Sequence, residues 1–172
     1  MLIAKMSHFL NISLIIFGTF LAIDAAMNMP SVSWGKPVGL CEYAWHKHGT
    51  HCYRIFYTRR TWFDAADRCA KYGGILSTVE NAMEDGFLGG LLTGPGLALP
   101  HWIGLMRKNM EMPAVWADGK NRSIARWRKG DTEYTRADTK CVRAIASSTS
   151  SCEWFAEDCT NEYPYICKKP IN

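Results

Sequence analysis

The segment His101-Trp102-Ile103-Gly104-Leu105 reads as a short, largely apolar strand, because it is aromatic and β-branched and lies among turn signals. Gly94-Pro95-Gly96 closes the stretch before it and Asp118-Gly119 punctuates the chain after it, while Ala114–Trp116 has the same strand-like texture. Upstream, Cys52-Tyr53-Arg54-Ile55-Phe56-Tyr57 alternates and is aromatic, a further strand. Thr61, three residues before Asp64, opens a helix in capping-box fashion, with Trp62, Ala65, Ala66, Cys69 and Ala70 at helical spacing and Gly73-Gly74 as its stop. Ser77 with Glu80 repeats that start signal and predicts a second helix with Met83, Phe87, Leu88 and Leu91 on its apolar side. The gap between Gly89-Gly90 and Gly94-Pro95-Gly96 reads as a turn-rich connection. Cys141–Ala146 and Tyr163–Cys167 are two more strands, and Ser147–Ser151 between them reads as a flexible loop tip. Helices come early and strands late, so the class is α+β.

The 172 residues are 48% hydrophobic and 21% charged, which fits one globular domain able to bury a core. The formal charge of +4 is too mild to call for nucleic acid. Seven cysteines point to an oxidising compartment. Lys5, the apolar stretch Phe9–Ile23 and the exit Asp24-Ala25-Ala26 have the layout of a secretory signal over residues 1–26. The other reading, an uncleaved anchor, needs roughly 20 apolar residues. The stretch here has 15, interrupted by Asn11, Ser13 and Thr19, so no membrane span is expected. Residues 27–40, with Pro30 and Pro37, form a short irregular lead-in. No nucleophile motif, His-Glu-x-x-His helix or phosphate-cradling glycine loop is present, and an enzyme is not expected. His46, His48 and His51 have metal-like spacing, but no cysteine or carboxylate pattern completes a zinc set.

With these landmarks in order, the chain resembles the C-type lectin-like domain family, in its long form with an extra N-terminal disulfide. The resemblance rests on Cys41, Trp45, Gly49 and Cys52-Tyr53, on Thr61-Trp62, Ala65, Cys69, Gly74, Leu76 and Glu80, and on the tetrapeptide Trp102-Ile103-Gly104-Leu105. Trp116-Ala117-Asp118-Gly119, Trp127, Cys141, Trp154, Cys159 and Cys167 complete it, so that it covers residues 41–169. It implies disulfides Cys41–Cys52, Cys69–Cys167 and Cys141–Cys159. Cys152 is left over, either as a free thiol or as an intermolecular bridge giving a homodimer. The four tryptophans Trp102, Trp116, Trp127 and Trp154 are core residues before they are ligand platforms.

Sugar-binding relatives hold calcium with five side chains, a density the ion needs because it takes about 6–8 oxygen ligands. At the matching positions this chain offers Asp131-Thr132-Glu133, without the cis proline, then Thr139 (Asp138 one step off) and finally Trp154-Phe155-Ala156. Only Asp131 and Glu133 remain as calcium candidates, no cofactor is expected, and their bland alternative is a solvated loop. What is left to bind with is charge: Arg107–Arg143 holds ten basic and five acidic residues, in the part that resembles the family's ligand-facing loops. Arg107, Lys108, Lys120, Arg122, Arg126, Arg128 and Lys129 would attract an anionic glycan or acidic protein, unless they serve solubility and cover apolar surface. Asn121-Arg122-Ser123 is an N-glycosylation sequon in the same region. The expected function is a secreted, extracellular recognition module that binds glycans without the usual calcium site. The alternative is a protein-binding module with no sugar activity, which a bridge through Cys152 would make a disulfide-linked dimer.

Overall fold

Thr61 begins the first helix as its residue pattern requires: its hydroxyl accepts the Asp64 N–H at 3.2 Å, and α1 runs Trp62–Lys71. Trp62, Ala65 and Cys69 face inward, while Ala70 is exposed. The computed structural model describes residues 39–94, 99–108, 112–130 and 140–171. All fall in Gly35–Asn172, one of the two units into which the chain divides; the other, Met1–Trp34, lies outside the described residues, as do the signal peptide and most of the lead-in. No helix among the described residues is long and apolar enough to cross a membrane.

The strands are β1 His46–His48, β2 His51–Arg60, β3 Ile75–Leu76, β4 His101–Met106, β5 Val115–Trp116, β6 Cys141–Ser148, β7 Ser151–Glu157 and β8 Tyr163–Pro170, and the second helix, α2, spans Ala82–Leu91. They make one eight-stranded sheet in the order β1-β2-β8-β4-β6-β7, with β3 on β8 and β5 on β4. Every named pair is antiparallel except β4–β8, where Trp102 stands opposite Tyr165. Gly104 of β4 is required by a close approach: its N–H donates to the Ser77 carbonyl at 2.8 Å, and a Cβ there would overlap the Leu76 carbonyl.

Two expectations are corrected. The second helix does not start at Ser77, which is buried with its N–H bonded to Ile166 of β8. Asn81 is the cap, accepting the Glu84 N–H at 3.0 Å, and Met83 is 76% exposed rather than on an apolar face. Gly89 and Gly90 lie in α2, where the helix presses on the β6–β7 hairpin: a Cβ on Gly89 would lie 2.5 Å from the Ser151 nitrogen. The segment Ser147–Ser151 is not an extended loop. β6 continues through Ser148, Thr149-Ser150 make the turn, and β7 begins at Ser151 with Cys152, Trp154 and Ala156 inward.

The interior has two clusters. One gathers Trp45, Trp62, Ala65, Leu76, Trp102 and Tyr165 with the bonded cysteines; the other gathers Tyr53, Leu88, Leu92, Ile103, Trp116, Val142, Cys152 and Trp154. The disulfides are Cys41–Cys52, Cys69–Cys167 and Cys141–Cys159. Cys152 is free. It lies in β7, not in a loop, is only 3% exposed, and sits with its sulfur 3.9 Å from the Asp85 carbonyl oxygen. Burial, reinforced by the nearby Asp85 charge, pushes the thiol up to about 12.

Candidate ligand-binding site

Trp154 is the hinge of the site. β7 carries it inward, edge-on to Trp116 (ring centroids 5.3 Å) and to Trp127 (6.0 Å). The loop after β5 is laced onto the same residue, since the Trp154 backbone N–H donates to the Arg126 carbonyl at 2.7 Å and the Arg128 N–H donates to the Trp154 carbonyl at 3.1 Å. Two ion pairs fix the loop further. Arg122 grips Asp118 through both carboxylate oxygens, with Nη1 to Oδ1 at 2.8 Å, lies 3.6 Å from Glu80 and spreads over the Trp116 ring at 5.6 Å. That hydrogen bond holds the Asp118 carboxyl down at about 2. Arg126 reaches back to Asp85, whose side chain is 0% exposed, at 3.1 Å. Burial raises the Asp85 carboxyl while the Cys152 N–H and Arg126 oppose the rise.

Between these anchors the loop arches over a cavity of about 240 Å³. Trp116, Trp127, Trp154, Leu105 and Ile124 supply an apolar wall, and Asn121, Arg122 and Ser123 supply amide, guanidinium and hydroxyl groups. An aromatic wall with a few polar groups suits a small ligand that has one apolar face and hydrogen-bonding edges. The indole N–H of Trp154 is buried and has no hydrogen-bond partner among the described residues.

A second cavity, about 350 Å³, is polar and includes His51, Thr78, Glu80, Asp118, Lys120 and Lys168. Its charges are tied to one another. Lys168 is 3% exposed, and its three ammonium protons go to Thr78 Oγ1 (3.1 Å), Glu80 Oε1 (2.9 Å) and Glu84 Oε1 (2.8 Å). Glu84 also accepts the Tyr53 hydroxyl at 2.5 Å and the Glu80 N–H at 2.8 Å.

The basic residues expected to form one ligand face are thus divided. Arg107 is a correction: it lies just past the end of β4 only 2% exposed, beside Trp127 and Val142, and offers no surface charge. Arg122 and Arg126 have acidic partners within the fold. Lys108, Lys120, Arg128 and Lys129 lie toward the surface, Arg128 over the Phe155 ring at 5.3 Å. Asn121 is exposed at the cavity rim. Asp131 and Glu133, with Thr132, Asp138 and Thr139, lie outside the described residues. At the last of the calcium positions, the Phe155 ring is flanked by Arg128 and, at 4.5 Å, Arg143, and Ala156 is buried. Neither side chain has an oxygen, so the donor set at those two positions does not fit a calcium ion. His48 stacks on Phe87 at 4.5 Å, His51 meets Thr50, and no group of three metal-binding side chains occurs among the described residues.

Asp85, Glu84 and Lys168 are absent from the sequence-based candidates. The spacing of Asn81 and Glu84 is the one local signal that points to them, since it is itself a capping pattern.

The profile of the lectin C-type domain matches residues 58–169. Snaclec 3 of Bitis gabonica is 32% identical over 138 residues, which span 76% of this chain and 83% of that protein. Snaclec stejaggregin-A subunit alpha of Trimeresurus stejnegeri is 27% identical, over 96% of this chain and 98% of its own. Among solved structures, human lithostathine superposes with a TM-score of 0.69 at 24% identity, covering 76% of this chain and 91% of that one. A calcium-independent type II antifreeze protein superposes with a TM-score of 0.67 at 22% identity, covering 77% and 96%. Both structural likenesses are statements about fold.

Proposed function

Because this chain belongs to the C-type lectin domain family, we propose that it is an extracellular recognition module that binds glycans without calcium at the family's usual sugar position. The observation that carries this reading is the tryptophan-walled cavity with its Asn121–Arg122–Ser123 rim. A pyranose has weakly polar C–H faces that pack on indole rings and hydroxyls around its edge, and the cavity offers a partner to each. The absence of side-chain oxygens at Phe155 and Ala156 supports the calcium-independent part. Three disulfides support an oxidising, extracellular setting. Recognition rather than catalysis fits the tying of the buried ionic groups Glu84, Asp85 and Lys168 into structural pairs. The ligand need not be anionic, since Arg107 is buried and Arg122 and Arg126 are paired with Asp118 and Asp85, and a covalent homodimer through the interior Cys152 is not part of this reading.

A protein-binding module is the second reading, favoured by the exposed Tyr43, Tyr57, Phe63 and Met83. The test is a glycan array that includes sulfated sugars, probed with the secreted chain and its Asn121→Gln variant in calcium and again in EDTA. Binding that persists in EDTA is expected. Binding lost in EDTA overturns the calcium-independent mechanism, and silence from both proteins in both conditions favours the protein partner.

A further inference from the structure

Asn121 is both the acceptor of the sequon Asn121-Arg122-Ser123 and part of the cavity lining, and it is exposed. Its position is set by its neighbours. The Lys120 N–H donates to Asp118 Oδ1 at 3.1 Å, and Arg122 is locked on the same carboxylate and against Trp116. A sugar attached to the Asn121 amide therefore starts at the rim of an aromatic cavity, not out in solvent. The volume of about 240 Å³ is below that of a drug-sized site and suits one sugar ring, not an oligosaccharide.

We propose that the first N-acetylglucosamine of a glycan on Asn121 folds back into the tryptophan-walled cavity, so that the glycosylated chain caps its own ligand site. The proposal rests on the reading of this cavity as a sugar site. Attachment uses a polyprenyl-diphosphate-linked donor: the Asn121 Nδ2 forms a bond to the anomeric carbon, the carbon–oxygen bond to the diphosphate breaks, the diphosphate leaves with the electron pair, and the amide gives up one proton. A sugar tethered through one amide has an effective concentration of about millimolar or more, so it outcompetes a free sugar supplied at micromolar concentration.

The experiment uses the full chain secreted from eukaryotic cells. Intact mass gives the occupancy of Asn121, acrylamide quenching gives the accessibility of the tryptophans, and fluorescent chitobiose at micromolar concentration is the binding probe. Four forms are compared: fully glycosylated, trimmed by an endoglycosidase to a single sugar, stripped by an amidase, and the sequon variants Asn121→Gln and Ser123→Ala. The two glycosylated forms are expected to quench alike and to bind no probe, because one ring suffices to fill the cavity. The stripped protein and both variants are expected to show increased quenching and to gain probe binding. The amidase-stripped protein, in which hydrolysis of the Asn121 amide leaves a carboxylate, and the form trimmed to one sugar keep the comparison informative if a variant fails to fold. An unmodified Asn121, or equal quenching and equal probe binding with and without the sugar, overturns the proposal. Measurable and equal probe binding in all forms leaves the glycan-binding function standing while self-capping falls. Increased quenching without probe binding in the sugarless forms supports self-capping and counts against the binding of external glycans.

Discussion

Lys168→Met keeps the length and apolar stem of a buried side chain and deletes only its charge. In the native fold each ammonium proton has an acceptor within 3.1 Å, and the closest, Glu84, is itself only 4% exposed. Without the ammonium, Glu84 remains a buried carboxylate with hydrogen bonds and only the more distant Arg122 as counter-charge, a situation that costs about 3–5 kcal/mol when no charge is left nearby. The Tyr53 hydroxyl and Glu80 N–H still solvate that carboxylate, and Glu80 is part-exposed, so the lower end applies. About 3 kcal/mol corresponds to a fall in Tm of roughly 10 °C for a domain of this size. Urea unfolding at pH 7, followed by tryptophan fluorescence with the disulfides intact, measures the loss. Lys168→Met combined with Glu84→Gln removes the orphaned charge and keeps an acceptor for Tyr53, and is expected to recover at least half of it. Lys71→Met is the control, because its partner Asp67 is 3.3 Å away but both are well exposed, and such a pair is worth about 0.5 kcal/mol or less. The reasoning is refuted if Lys168→Met falls within about 1 kcal/mol of the parent, or if the double variant is no more stable than the single.

Other outcomes rest on the same geometry. His101 is buried, and burial lowers its imidazole from 6.5 to about 4 although its Nδ1 contacts the Leu99 carbonyl. Below pH 6.5 the unfolded chain takes up a proton that the folded chain refuses. Stability therefore declines as pH falls from 6.5 to 4, by up to about 3 kcal/mol, and His101→Gln is expected to flatten that window in urea titrations. Alanine replacement of each disulfide pair is expected to cost about 4–5 kcal/mol for Cys69–Cys167, which closes the longest loop, and about 3 for each of the others, read from urea midpoints. The Cys152 thiol is expected to resist a disulfide reagent at pH 8 until urea unfolds the protein, and rapid reaction of the native monomer would contradict its burial. Arg126→Ala is expected to destabilise by about 2 kcal/mol by leaving Asp85 unpaired, with Lys129→Ala nearly neutral; equal urea midpoints for the two would remove the Arg126 anchor.

The first helix and the strands around Trp102, Cys141 and Tyr163 are legible in the sequence because each carries its own signal: a cap with helical spacing, or a run of apolar and β-branched residues. The start of α2 is not, because Ser77 and Asn81 each stand three residues before a glutamate, and only the bond from the Ser77 N–H to Ile166 removes the first from contention. β7 hides for a related reason. Its inward residues Cys152, Trp154 and Ala156 alternate correctly, but the preceding serines mimic a loop, whereas four of their hydroxyl contacts close a tight hairpin. A count of charge along the chain misjudges the basic face. Arg126 is neutralised by a carboxylate 41 positions away, and no local pattern reports such a pairing.

The two interior clusters give that difference a physical basis. All six bonded cysteines lie in or against the cluster around Trp62 and Trp102, so the disulfides staple that cluster and not the one around Trp154. The cluster around Trp154 contains no disulfide, and its loop is held by indole contacts, a short bridge from Trp127 to Trp154 and the pairs Arg122–Asp118 and Arg126–Asp85. These anchors occupy positions 116–128 and leave the strand face at Phe155 free to be filled by stacked guanidinium groups in place of metal-binding oxygens. The stability lost by removing Arg126 should then add to that lost by removing Cys69–Cys167, since the two belong to different clusters. A large coupling between Arg126→Ala and loss of Cys69–Cys167 would mean that the disulfide-bonded cluster and the loop over the tryptophan cavity are one mechanical unit, and a rebuilt loop would then disturb the fold that carries it.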